Sequence, residues 1–132
     1  FLRLVFAGVF DRFPKLKVIL GHMGETLPYV LWRLDSRAAL LADKRPLQEA
    51  PSVYLKRNLW VTTSGQCDNV PLLAALAALG EERVLFSVDY PYEDSAVAGR
   101  FLDDAALDDR VREKVARSNA VSVMPLRLKE RF

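Results

Sequence analysis

The chain is poor in the residues that most often carry metal, redox or covalent chemistry: among its 132 residues there is one cysteine and one histidine. A lone cysteine, Cys67, cannot close an internal disulfide, so a reducing, cytoplasmic setting and a free, unreactive thiol are expected. An excess of charge of one sign is missing too. Lys and Arg number 19 against 17 Asp and Glu, and the basic residues are scattered singly or in short groups such as Lys15 with Lys17 and Lys44 with Arg45. That distribution argues against nucleic acid as a partner. The strongest apolar run, Val70 to Leu79, is about half the length that crosses a bilayer, so no membrane span is expected. The start at Phe1 has neither a charged leader region nor a small-residue cleavage site, and nothing there directs export. What is present, 51% apolar and 27% charged residues, is the balance of an ordinary globular domain.

Apolar periodicity divides the chain into alternating elements. Leu2, Val5, Phe6, Val9, Phe10 and Phe13 recur at helical spacing before Pro14, which predicts an amphipathic helix over Phe1 to Phe13 and, standing first, implies upstream chain. Lys17 to Gly21 is short, apolar and β-branched, and reads as a fully buried strand. Glu25 to Asp43 resumes the helical period with Leu27, Val30, Leu31, Leu34, Ala38 and Leu41 on one face. Arg45 to Arg57, with Pro46 and Pro51, reads as a loop and a short helix. Asn58 to Thr63 is a second strand, and Val70 to Leu79 is a helix ended by Gly80. Arg83 to Val88 is a third strand, followed by helical pieces over Ser95 to Leu102 and Asp108 to Asn119 and a weakly specified tail from Val121 to Phe132.

Strands alternating with helices, each strand apolar on both faces, predict an α/β fold with a parallel sheet covered by helices. Doubly wound sheets and barrels both satisfy this pattern. Polar residues at the strand ends favour a barrel, because barrel chemistry gathers at the C-terminal ends of several strands. Here His22 follows the first strand, Thr62, Thr63 and Ser64 close the second, and Asp89 ends the third. The strands Val18 to Leu20, Leu59 to Thr62 and Val84 to Val88 are therefore expected side by side and parallel, with His22 and Asp89 at one end.

His22, between Gly21 and Gly24 in a GHMGE segment, stands where the backbone can turn sharply and a ligand can approach. A single histidine is as readily structural. Glu25, three residues on, can reach the imidazole, fix its tautomer and favour its charged form, or merely stabilise a helix N-terminus. Asp89, after an apolar strand, needs a metal, a cation or hydrogen bonds to stay ionised. As a helix cap it fits less well, since Pro91 intervenes and Asp94 or Ser95 is better placed.

Read together, three blocks resemble the nonoxidative aromatic-acid decarboxylases of the amidohydrolase superfamily, nearest to the gamma-resorcylate and 2,3-dihydroxybenzoate enzymes. They are Phe10 to Glu25 (FDRFPKLKVILGHMGE), Asn58 to Gly65 (NLWVTTSG) and Arg83 to Glu93 (RVLFSVDYPYE). The resemblance spans Leu4 to Asn119. Ser118, Asn119 and Ala120 also resemble the family's closing helix, although a glycine commonly stands at the position of Ser118. The resemblance implies that the chain is the C-terminal part of a (β/α)8 barrel. It implies that Asp89 binds a divalent metal (zinc, manganese or magnesium), that His22 is a catalytic group beside the metal, and that Glu25 supports His22. Tyr92 matches an aromatic position near the substrate.

The implied reaction is loss of carbon dioxide from a small hydroxylated aromatic carboxylate. The metal would orient the substrate's hydroxyl and carboxylate, Asp89 would relay a proton to the carboxyl-bearing carbon, and His22 would stabilise the developing charge. The family also implies homo-oligomers. Its other metal ligands have no counterpart here, and catalytic zinc sites generally need about three protein ligands. The chain alone is thus expected to bind metal weakly and to be inactive, as a fragment or a natural truncation. The alternatives are a metal-dependent hydrolase, of amides or lactones, from the same superfamily, and a noncatalytic half-barrel that serves as an interaction module.

Overall fold

A computed structural model of the chain describes residues 1–41 and 47–124. The expectations for Lys44 with Arg45, for Pro46, for the end of the helix at Asp43 and for the tail beyond Met124 lie outside them. The elements run α1 (Leu2–Phe6), α2 (Val9–Arg12), β1 (Val18–Leu20), α3 (Leu31–Ala39), α4 (Pro51–Asn58), β2 (Leu59–Thr62), α5 (Asn69–Leu79), β3 (Val84–Leu85), α6 (Ser95–Asp104), α7 (Asp109–Glu113) and α8 (Asn119–Val123). A π turn, Lys114–Ser118, links α7 to α8.

The strands form one sheet in the order β1-β2-β3. Both pairings are parallel, with Val18 opposite Leu59 and Val61 opposite Val84. The central strand β2 is buried on both faces, as its unbroken apolar run predicts. Leu59 and Val61 point into the main core with Leu72 and Ala75 of α5. Trp60 alternates to the opposite face, where Leu85 and Val123 cover it. The Arg83 guanidinium stacks on the Trp60 ring 4.1 Å from its centroid. Full burial of a side chain the size of Val61 stabilises by roughly 1.5–3 kcal/mol, so β2 anchors the sheet.

Several expected boundaries shift. The predicted Phe1 to Phe13 helix is broken into α1 and α2, because Gly8 takes a left-handed φ of 70° between them. The strand expected to be fully buried, β1, leaves Ile19 41% exposed, since β1 lies at the sheet edge. The helix expected from Glu25 begins only at Leu31, because left-handed backbone at Glu25 and a short 3₁₀ turn over Leu27–Tyr29, with Pro28 inside it, precede it. The ladder of β3 stops at Leu85, three residues before the expected Val88. The last helical run extends to Val123, past the start of the expected tail.

Caps follow the sequence closely. Asp68, Asp94 and Asp108 each accept a backbone N–H at the start of α5, α6 and α7. Asn119 is buried, and its amide donates to the carbonyls of Glu81 and Val84, tying α8 to the entry of β3. Asn58 does the same for the entry of β1, donating to the carbonyls of Pro14 and Leu16.

Candidate active site

Beyond β1 the chain turns at once. Gly21 is extended, and then His22, Met23, Gly24 and Glu25 all take positive φ, at 51°, 53°, 76° and 53°. Left-handed backbone costs a residue with a Cβ about 1–2 kcal/mol. Packing and hydrogen bonds hold it in place: Met23 is buried, and the His22 N–H donates to Ser64 Oγ at 3.3 Å. Gly24 lies so close to β2 that a Cβ there would meet Val61 Cγ1 at 2.8 Å. On the other side of β2, Asp89 takes φ 79°. The non-glycine residues with positive φ among the described residues are His22, Met23, Glu25 and Asp89. Backbone strain is therefore concentrated where the candidate chemistry lies.

These turns bring three of the expected residues together. His22 Nδ1 stands 2.9 Å from Glu25 Oε1, and His22 Nε2 stands 3.4 Å from Asp89 Oδ2. Glu25 thus reaches the ring from a non-helical turn rather than from the start of a helix. Donation of a hydrogen bond to Glu25, followed by that to Asp89, raises the His22 pKa above its ordinary value, against a smaller opposing effect of desolvation. Its side chain is 44% exposed, so water moderates both pairings. The imidazole is oriented, and it carries its proton over a wider pH range than a free histidine.

The end of β2 forms the floor of the site. Ser64 Oγ is 2.7 Å from Thr62 Oγ1. Gly65, at φ 64°, lies against the pair itself: a Cβ there would meet His22 Cδ2 at 3.0 Å and Asp89 Oδ2 at 3.2 Å. The sequence signalled this segment only as polar residues closing an apolar strand, without roles. Tyr92 shares a loop with Asp89, its N–H donating to the Asp89 carbonyl at 2.8 Å, but its ring is 86% exposed. Cys67 is a free, exposed cysteine, and partial desolvation of its sulfur, followed by the nearby Glu93 charge, raises its thiol pKa.

Asp89 suits one position of a divalent metal site, being a hard oxygen donor about one-third exposed at the sheet end. Among the described residues no group of three or more His, Cys, Asp or Glu side chains is placed to hold one metal ion. These residues fit a share of a metal site and not a whole one. None of the described helices is long and apolar enough to cross a membrane.

Known proteins resemble this chain in sequence and in fold. The chain is 38% identical over 127 residues to the gamma-resorcylate decarboxylase of Polaromonas sp. (strain JS666), covering 95% of this chain and 39% of that protein. It superposes on the crystal structure of 5-carboxyvanillate decarboxylase from Sphingomonas paucimobilis with a TM-score of 0.92 and 39% identity, over 96% of this chain and 38% of that one. A dihydroxybenzoic acid decarboxylase from Polaromonas sp. JS666, crystallised with manganese and the inhibitor 2-nitroresorcinol, gives a TM-score of 0.87 and 38% identity, over 92% and 37% of the two chains. The chain thus spans about two-fifths of the length of these relatives, and its sheet and helices are part of a (β/α)8 barrel. Since the family model described as amidohydrolase matches residues 1–126, the chain belongs to the amidohydrolase family.

Proposed function

We propose that the whole protein carrying this chain is a metal-dependent nonoxidative decarboxylase of a hydroxylated aromatic carboxylic acid, and that this chain is the C-terminal part of its barrel. The observation that carries the reading is the pairing of His22 with Asp89 at one end of the parallel strands. The names of its relatives support it, as do the aromatic ligands crystallised with them.

A divalent metal such as manganese, zinc or magnesium, held in part by Asp89, would supply Lewis acidity that orients the substrate's carboxylate and a neighbouring hydroxyl. The residues of this chain handle the proton. Asp89 relays it to the ring carbon that bears the carboxylate, and a new C–H bond forms at the expense of aromaticity. The bond to the carboxyl group then breaks, its electron pair returns to the ring, and carbon dioxide leaves. His22, Nε2 towards Asp89, stabilises the charge that develops and is the adjoining proton reservoir. Glu25 acts through His22, as a positioning residue. Tyr92 flanks the substrate from the exposed side of the loop.

The test is carbon dioxide release by the whole protein, loaded with manganese, from a panel of hydroxybenzoates. Failure on every member of the panel would overturn the reading. The family's description as amidohydrolase favours one second reading, metal-dependent hydrolysis, which the same protein would reveal by cleaving lactones or amides without releasing carbon dioxide. We further propose a cytoplasmic setting, supported by the single cysteine of this chain, and self-association of the whole protein, which rests on the family resemblance alone.

A further inference from the structure

The ladder that joins β2 to β3 ends at Thr62 opposite Leu85, yet Asp89 lies four residues beyond Leu85. Something other than strand pairing must deliver its carboxylate to His22. The next contact is backbone, from the Thr63 N–H to the Leu85 carbonyl at 3.0 Å. After that a side chain takes over. The Thr63 hydroxyl donates to the Ser87 carbonyl at 2.8 Å and accepts from the Ser87 N–H at 3.0 Å, holding both polar groups of one residue. Thr63 is 1% exposed, so water does not compete for these bonds.

On the other flank of β2 the same device recurs. The ladder with β1 ends at Leu20 opposite Val61. Beyond it, Ser64 Oγ accepts the N–H of His22, and the Thr62 hydroxyl holds Ser64 Oγ in turn. Gly21 leaves room for this, since a Cβ there would stand 3.1 Å from Ser64 Oγ. Adjacent residues of one strand end therefore grip the two loops that carry His22 and Asp89, and Gly65, next in the chain, leaves the space in which the two side chains meet.

We propose that Thr63 and Ser64 are positioning residues that replace the missing ladder rungs on either side of β2 and thereby set the separation of His22 and Asp89. Neither touches the reacting atoms. This inference rests on the decarboxylase reading for its catalytic meaning, but its geometry can be tested without turnover.

The experiment is nuclear magnetic resonance of the whole protein that carries this chain, without substrate, in which the His22 ring signals are identified by their loss in His22→Asn. Thr63→Val removes the hydroxyl at nearly constant shape, Thr63→Ser keeps it, and Ser64→Ala removes the other grip. In Thr63→Val the Ser87 amide should exchange with solvent at least about tenfold faster, with Thr63→Ser staying within about threefold of the original chain. In Ser64→Ala the cross-peak between the Gly65 α protons and the His22 ring should weaken at least about twofold, while Ser87 protection stays unchanged. Unchanged Ser87 protection in Thr63→Val, or equal loss in Thr63→Ser, would overturn the role of Thr63. A retained cross-peak in Ser64→Ala would overturn that of Ser64, and this variant decides the proposal if Thr63→Val does not fold. Absence of turnover in the unsubstituted whole protein would sink the decarboxylase reading and leave the NMR result standing.

Discussion

The imidazole Nε2 of His22 faces the carboxylate Oδ2 of Asp89 across 3.4 Å, although 67 positions separate the two residues in the chain. Parallel pairing makes this possible: β1 and β3 flank β2 and run the same way, so the residues following each strand emerge at one end.

Replacing Asp89 with Asn keeps the size and removes the charge that faces His22. In the whole protein, decarboxylation should fall by at least roughly a thousandfold, about 4 kcal/mol of barrier. Bound manganese should fall in parallel, measured by elemental analysis of the same preparation.

His22→Asn should cost activity comparably while metal content stays near that of the parent, because the histidine is assigned to proton and charge chemistry. Glu25→Gln should be milder, about tenfold to a hundredfold, as suits a residue that orients another. If His22→Asn strips the metal and Asp89→Asn keeps both metal and activity, the two role assignments are reversed.

The pH dependence has a definite sign. The folded-state pKa of His22 lies above its ordinary value, through Glu25 first and Asp89 second. Folding is therefore favoured by proton binding at His22: the contribution is fully present below the unfolded-state pKa of about 6.5 and is lost as pH rises through the folded-state value. Comparing urea unfolding of the chain and of His22→Gln across that range should show the difference shrinking as pH rises. Ring signals of His22 should titrate above the ordinary histidine range, and Glu25→Gln should bring them back towards it.

Gly65→Ala tests the floor of the site. Its Cβ would stand 3.0 Å from His22 Cδ2 and 3.2 Å from Asp89 Oδ2, on backbone at φ 64°. The left-handed conformation alone should destabilise the chain by about 1–2 kcal/mol. Activity of the whole protein should fall further than stability accounts for, since the added methyl separates the pair. Thermal unfolding and carbon dioxide release measured on one sample distinguish the two effects.

The chain alone should bind manganese or zinc weakly, with a dissociation constant above about 1 μM, because among the described residues no three His, Cys, Asp or Glu side chains are placed to hold one ion. A submicromolar site found by calorimetry would contradict this.

Continuous apolar runs were legible directly: β2 is the stretch that Leu59 to Thr62 predicts, and α5 ends at Gly80 as its sequence requires. Asp94, a cap candidate in the sequence, caps α6. The polar ends of the strands marked His22, Glu25 and Asp89, since glycines beside a histidine and an acid after an apolar strand are local signals. Boundaries were less legible where a single backbone angle decided them, as at Gly8, or where the partner strand did, as at the short ladder of β3.

Only the tertiary structure decided what those residues meet. No local pattern reveals that Thr63 grips Ser87, that Ser64 holds the His22 amide, or that Gly65 lies beneath both His22 and Asp89. Nor does local sequence predict that His22 and Glu25 pair from left-handed backbone, because the cost of that conformation is met by Met23 and Gly24 packing under the turn and by a hydrogen bond to a residue 42 positions away. Periodicity and composition act over neighbouring residues, and they determine elements. Hydrogen bonds and close contacts across a sheet act between residues that the chain keeps far apart, and those determine the site.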